Sequence, residues 1–460
     1  MTAIATDTFD VLDPATGEVI ATLDHGDADA AVAAARAAFP AWARTAPAER
    51  GAALKAGARR LREHLEELAE LQTREGGKPL GDSLGGVEAG IAAIEQYAEL
   101  GPVHRGRSLQ GAWGAADMMV HEPRGVVALL VPWNDPIAIA CGQIAAALVA
   151  GNAVVFKPSE KTPLSGALLV EILDLPGGVL QLLHGDARAG RPLAAHPNVD
   201  LVIHTGSVQT GREVMEACVD RLGKALLELG GKDAMIVDAG VDPEWAAEQA
   251  AIGAFANAGQ ICTSVERIYV HRDVAEPFVD ALVRRAEALR VGPGTDPATE
   301  MGPLIDDDQR LWVHSHVEDA VHNGAELRAG GRIPDGAGCF YPPTVLLGPP
   351  ADAPVIAQET FGPVAAVCVV DSFADGLAGA NRGEYGLAAV VLTPSQANAQ
   401  RAWRELGVGT VKVNAVFGGA PGGAAEPMRA SGLGFGYGPE LLDEVTHTKV
   451  VHLAVAPPAP

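Results

Sequence analysis

Apolar positions recur along this chain in two rhythms. Between residues 27 and 72 they fall at helical spacing, which predicts an Ala-rich helix from Asp27 to Phe39 and a second from Pro47 to Gln72. In the second, Leu54, Leu61, Leu65, Leu68 and Leu71 form one stripe, read as core packing. Pro47 suits a first-turn position, where its missing N–H costs nothing. From Gly125 the rhythm changes. Val126 to Val131 is a short continuous apolar run, as expected of a strand buried on both faces. The pattern then predicts helix 137–150, strand 153–156, helix 164–173, strand 179–183, helix 187–195, strand 200–203, helix 207–221 and strands 225–229 and 234–237. A second α/β series comes next: helix 244–257, strand 266–271, helices 274–290 and 307–323, strands 343–346 and 364–370, helix 372–381, strand 387–392, helix 395–405 and strand 410–413. Alternation of this kind builds doubly wound parallel sheets, which bind ligands beyond the carboxyl ends of their strands. The fold class is therefore α/β with two such units. Residues 106–122 and 446–455 fit neither series and alternate weakly, like exposed strands. Strand edges pair with other chains, so these pieces read as an oligomerisation element. Pro457–Pro460 reads as a frayed end.

Composition narrows the function classes. The 460 residues are 48 % hydrophobic and 20 % charged, which is globular, and the length suits about three domains' worth of chain. A net charge of −24 argues against nucleic acid, whose phosphates need clustered Lys and Arg, and against anionic membrane surfaces. Five cysteines are scattered without a C-x-x-C pair, so neither a disulfide framework nor a zinc ribbon is signalled, and no metal site is expected. Met1–Asp10 shows no secretory pattern, and the apolar region 126–150 is cut by Pro132 and Pro136 before it could span a bilayer. A soluble, reduced, cytoplasmic protein is expected.

Several polar residues stand where the pattern puts strand ends. No G-x-G-x-x-G follows a predicted strand, so ordinary Rossmann pyrophosphate binding is not indicated. Gly206–Gly211 has Walker-like glycine spacing, but Arg212 and Glu213 replace the Lys and Ser/Thr that would hold phosphate and magnesium. Thr205-Gly206-Ser207 joins a strand to a helix and would aim backbone N–H groups at an anion, or serve simply as an N-cap through Ser207. Lys157-Pro158-Ser159-Glu160 ends another strand. A carboxylate there can accept both hydroxyls of an adenosine ribose, Lys157 can reach the same sugar, and Glu160 would repel a 2′-phosphate. Solvated charges at a capped helix start are the plainer reading. Cys262 lies in the turn Asn257–Ser264, where a thiol can be exposed and activated, whereas Cys141 and Cys368 sit in apolar runs. Glu228 ends an apolar strand, a costly place for a carboxylate without a task. Asn134, in the break after Val131, offers N–H donors to a developing oxyanion. Thiol, carboxylate and amide together point to acyl transfer.

Taken together, these segments resemble the aldehyde dehydrogenase superfamily over essentially the whole chain. The resemblance rests on Pro132-Trp133-Asn134, Lys157–Glu160, Thr205–Ser207, Glu228-Leu229-Gly230-Gly231-Lys232, Gly259–Cys262, Glu359–Val364 and Tyr385–Ala388, in the family's order. It implies Cys262 as nucleophile, Glu228 as general base, and Asn134 with the Cys262 N–H as oxyanion donors. It also implies NAD, with NADP possible, held by Trp133, Lys157, Glu160, Gly206, Ser207, Leu229, Gly230, Glu359 and Phe361. The implied division is a discontinuous NAD(P)-binding domain at 1–105 and 123–230, a catalytic domain at 231–418, and a bridging β-element at 106–122 and 419–460 that assembles a homodimer or homotetramer. Some residues depart from the family pattern. His204 replaces the usual Phe, Asp135 a common aromatic, and Gly142-Gln143 the Arg-Lys of succinate-semialdehyde dehydrogenases. Glu426–Gly432 lacks an expected Gly-Gly. These bear on substrate choice.

The reaction so implied is oxidation of a small aldehyde to its carboxylic acid through a Cys262 thiohemiacetal and thioester, hydrolysed with Glu228. The alternatives are a redox-free cysteine hydrolase using Cys262, Glu228 and Lys232, transfer of the acyl group to coenzyme A in place of water, and a scaffold that keeps the fold without catalysis.

Overall fold

In the computed structural model, the structure describes residues 8–419, 422–456 and 459. Except for residue 459, the frayed end expected at 457–460 lies outside them, as do residues 1–7 of the N-terminal segment. Two large sheets dominate. The first has the strand order Gly432–Leu433, Lys224–Glu228, Leu201–Thr205, Val126–Leu130, Ala153–Lys157, Leu180–Leu182, parallel except for Gly432–Leu433. Its side chains alternate with period two between two cores. Val127, Leu129, Val154, Phe156 and Ile203 face the helices Pro47–Glu63, Leu80–Leu100 and Pro136–Val149, while Val126, Ala128, Val155 and Val202 face Ala28–Arg44 and Ala187–Ala195. Covering both faces with helices explains the uninterrupted apolar runs.

The second sheet has the order Glu326–Ala329, Thr344–Leu347, Val364–Val370, Val265–His271, Asp233–Val237, Ala388–Leu392, Thr410–Val413, parallel except for its first strand. Met235, Ile268 and Val367 pack under the helices Pro243–Phe255 and Arg272–Ala288, and Ile236 and Val391 under Phe373–Ala380. A third sheet joins the two stray segments: Thr446–Ala454 pairs antiparallel with Ala115–Pro123, which pairs with Arg107–Leu109. At its base, the His104 ring stacks on His121, and His104 Nε2 lies 2.8 Å from Asp443 Oδ1.

Four features differ from the sequence expectation. The helix expected over 47–72 is two helices, Pro47–Glu63 and Leu65–Gly76, because His64 leaves helical geometry at φ −111° and ψ 20°. Leu54, Leu61 and Leu68 are fully buried, while Leu65 and Leu71 are only half-buried. The helix Leu80–Leu100 was not expected, since four glycines in its first eleven residues mask its propensity. Packing overrides propensity there: a Cβ on Gly90 would come within 3.0 Å of Cys141 Sγ. The short strands Thr8–Leu12 and Val19–Asp24, and Glu326–Ala329, were also unread. Finally, of the stretch 419–460 assigned to the bridging element, only Thr446–Ala454 enters the third sheet. Gly432–Leu433 extends the first sheet, and Leu441, Leu442 and Val445 are buried in its core, because their apolar side chains find cover there.

Candidate active site

The sheets meet at a crevice. The first sheet contributes the segments just beyond its strand ends: Pro132–Asn134 after Val126–Leu130, Thr205–Ser207 after Leu201–Thr205, and Glu228–Gly230 after Lys224–Glu228. A cavity of about 630 Å³ holds these together with Cys262, Glu359 and Phe361. A neighbouring cavity of about 390 Å³ is lined by Lys157, Glu160, His204 and Glu213, and shares Pro132, Trp133 and Thr205–Ser207 with the first. The strand order reverses between Val126–Leu130 and Leu201–Thr205, the place where open α/β sheets accept ligands.

Cys262 sits in the turn before the strand Val265–His271. Asn257 and Ala258 both adopt left-handed φ, 50° and 54°, which turns the chain sharply out of the helix Pro243–Phe255. Hydrogen bonds pin the turn: Asn257 Nδ2 donates to the carbonyls of Asn134 (3.3 Å) and Gln260 (3.2 Å), and Gln260 Oε1 accepts from Ile305 N (2.9 Å). Asn134 Nδ2 donates to Gln260 O at 3.0 Å, so one of its N–H groups fixes the cysteine turn and the other has no partner among the described residues. The sequence suggested an exposed, activated thiol. Instead Cys262 is half-buried, and burial with the nearby Asp233, Glu228 and Glu359 carboxyls pushes its thiol up to about 12.

Glu228 ends its strand with Oε1 accepting from Gly436 N at 2.9 Å, and burial raises it to about 7, against the pull of that N–H. Glu359 lies across the crevice. Its Oε1 accepts from Gly231 N (3.1 Å), and burial lifts it to about 8, reinforced by Glu266. Gly230 is needed beside it, since a Cβ there would fall 2.2 Å from a Glu359 carboxylate oxygen. Phe361 is held at φ 52° and meets Trp133 edge to face at 5.4 Å. Leu229 packs in the first-sheet core and lines the same cavity.

On the other cavity, Lys157 is buried, with Nζ donating to the carbonyls of Pro158 (2.8 Å) and Gly185 (2.6 Å) and lying 4.0 Å from Glu160. Ser207 caps the helix Val208–Val219, its Oγ accepting from Thr210 N at 3.2 Å, and still lines both cavities with Gly206. His204 is buried beneath Gly206 and lowered to about 4 by desolvation, hence neutral. Of the other departures from the family pattern, Asp135 accepts from Lys78 Nζ (3.0 Å) and Gln143 Nε2 donates to Thr205 Oγ1 (3.1 Å). The one cluster of three metal-ligating side chains among the described residues, His104, His121 and Asp443, lines neither cavity.

Sequence reasoning missed a supporting network. Lys232 is buried against Glu266, and its Nζ also donates to Thr360 Oγ1 at 2.9 Å. Glu266 accepts from the backbone N–H of Thr360 and of Phe361, each at 2.8 Å. A signal existed: Glu266-Arg267 interrupts an apolar strand, and the argument applied to Glu228 fits it equally. Gly436 carried no comparable signal, because only its backbone touches the site.

The comparisons agree with this architecture. A family model described as the aldehyde dehydrogenase family matches residues 2–451. The chain is similar to a betaine aldehyde dehydrogenase from Staphylococcus aureus solved in complex with NAD+, at 32 % identity and TM-score 0.95, covering 98 % of this chain and 93 % of that one. It is 34 % identical to a putative aldehyde dehydrogenase from Burkholderia cenocepacia (TM-score 0.95, 98 % and 95 % covered). It is 36 % identical to PnpE from Pseudomonas sp. WBC-3 (TM-score 0.95, 99 % and 96 % covered).

Proposed function

Because the chain belongs to the aldehyde dehydrogenase family and is an oxidoreductase acting on aldehydes, we propose that it converts its substrate to the carboxylic acid through a covalent adduct on Cys262. The observation that carries this reading is the convergence of Cys262, Glu228 and Asn134 on one cavity. Cys262 gives its thiol proton to water in the crevice and Sγ bonds the aldehyde carbon, while the carbonyl oxygen gains the negative charge. Asn134 Nδ2 and the Cys262 backbone N–H stabilise that oxygen. The residues lining the two cavities would hold NAD, which when bound would supply the acceptor for the hydride, two electrons and the hydrogen, leaving the adduct carbon. The carbon–oxygen double bond then re-forms as a thioester. Glu228 removes a proton from water, the resulting hydroxide adds to the thioester carbon, and the carbon–sulfur bond breaks to release the acid, the electron pair leaving on Sγ, which takes the proton back from Glu228.

The residues fit a dinucleotide. Two joined cavities cross the carboxyl edge of the first sheet, and each presents a carboxylate, Glu160 or Glu359, able to accept the two hydroxyls of a ribose. Trp133, Gly206, Ser207, Leu229, Gly230 and Phe361 line the path between them, with Lys157 beside Glu160. Glu160 supports NAD over NADP, since a 2′-phosphate would meet its negative charge. The hydrolase alternative loses its lysine, because Lys232 is committed to Glu266 and Thr360. We further propose an NAD-binding domain at 1–105 and 123–230, a catalytic domain at 231–418, assembly as a homodimer or homotetramer through the third sheet, and a cytoplasmic location. Among the described residues no helix is long and apolar enough to cross a membrane.

The test is rapid-mixing kinetics with an aldehyde panel and NAD or NADP. Cys262→Ala abolishes NADH formation. Glu228→Gln still releases about one NADH per active site and then turns over roughly 10²–10⁴-fold more slowly, the usual worth of a general base. A Cys262→Ala enzyme that retains turnover overturns the reading.

A further inference from the structure

Resting on the assignment of Glu228 as the base, we propose that Gly436 is a positioning residue for it: the Gly436 N–H, delivered by the C-terminal arm, fixes one oxygen of the Glu228 carboxylate and leaves the other free to take a proton from water.

The arm is built to hold that N–H in place. Gly432 and Leu433 pair antiparallel with Glu228 and Leu227, so the arm runs as an added strand beside the base. Leu229 N donates to Ser431 O at 2.9 Å, and Ser431 Oγ accepts from Gly386 N at 2.9 Å, tying the arm to both large sheets. Past Leu433 the backbone is anchored again, with Phe435 N donating to Glu444 Oε1 at 3.4 Å. The next residue is Gly436, whose N–H, 2.9 Å from Oε1, is the single hydrogen-bond partner of the Glu228 carboxylate among the described residues.

Position 436 has no left-handed φ that would call for glycine. What calls for glycine is space: a Cβ there would lie 2.2 Å from Glu228 Cγ and 2.4 Å from Oε1. Any side chain at 436 therefore displaces the base or the arm. The bond also has a chemical consequence. Burial favours the protonated acid, and an N–H donor favours the carboxylate. Gly436 thus opposes desolvation, and the balance leaves Glu228 near 7, where it can accept a proton from water and return it.

The experiment compares Gly436→Ala, Glu228→Gln and the double variant in the full-length enzyme with NAD and one good aldehyde substrate. Gly436→Ala is expected to keep a burst of about one NADH per site while steady turnover falls roughly 10–100-fold, the range for a displaced catalytic group. The pH midpoint of the steady rate shifts upward, since the donor that favoured ionisation has moved. The double variant turns over within about two-fold of Glu228→Gln alone, because a lost position does not matter once the base is gone. Where Gly436→Ala fails to fold, the same substitution is made on Glu228→Ala. That side chain ends at Cβ and removes the Cγ and carboxyl atoms the new methyl would meet, so the double variant folds and turns over within about two-fold of Glu228→Ala. Unchanged turnover and pH midpoint in Gly436→Ala, or losses that multiply in the double variant with Gln, overturn the proposal. A Glu228→Gln enzyme that hydrolyses the thioester at the normal rate instead overturns the assignment of the base, and this inference with it.

Discussion

The six-stranded sheet presents the carboxyl ends of its strands to the crevice, whereas the seven-stranded sheet presents its amino ends. Asn134 follows one strand of the first and Glu228 ends another; Cys262 and Phe361 precede strands of the second. The amino end of a parallel strand exposes N–H donors that need acceptors. The second sheet meets that need with carboxylates: Asp233 accepts from Ala388 N (3.0 Å), Glu266 from Thr360 and Phe361 N, and Glu359 from Gly231 N. Burial holds the Cys262 thiol high, and the same arrangement adds to it by leaving the sulfur among acids. On the assignment proposed above, the first sheet brings the oxyanion donor and the base, and the second holds the sulfur in an acidic wall.

The sharpest way to break this contrast is at the first sheet. Asn134→Ala is expected to lower turnover roughly 10²–10³-fold, the cost of one oxyanion donor, with a circular dichroism spectrum like that of the parent. Activity within ten-fold of the parent would remove Asn134 from the acting side. On the second sheet the expected loss is of folding. Lys232→Met strands Glu266 as an unpaired buried charge, at a cost of about 3–5 kcal/mol, read as a lower denaturant midpoint, and Lys232→Met/Glu266→Leu recovers much of it. The smallest effect concerns Glu359. Its folded-state value near 8 lies above the ordinary 4.5, so its contribution to stability is fully present below about 4.5 and is lost as the pH rises through 8. Glu359→Gln, always neutral, should therefore melt at about the parent's temperature at pH 4.5 and a few degrees higher at pH 8.5. A pH-independent difference would show that the carboxyl is not held against ionisation.

Legibility in the sequence follows physical cause. Runs such as Val126 to Val131 and residues 364–367 were readable because burial on both faces demands continuous apolar side chains. Cys262, Glu228 and Asn134 were readable because each is a polar residue at the edge of such a run. The helix Leu80–Leu100 was hidden because close packing selected glycines that local propensity disfavours. The upward push on the thiol was also hidden, since its burial and the acids at positions 228, 233 and 359 around it are products of topology. Backbone donors such as the Gly436 N–H leave no trace in side-chain patterns.

The chain leaves the first sheet after Glu228 and re-enters it at Gly432, on the adjacent rung, so every strand of the second sheet belongs to a closed excursion of about two hundred residues. Closing so large a detour carries an entropic penalty that grows only slowly with its length, yet contacts this distant in sequence make assembly slow. The seam where the detour closes is also where the base acquires its partner. During refolding, secondary structure and nucleotide affinity should therefore return before catalytic turnover, making enzymatic rate the last clock to start.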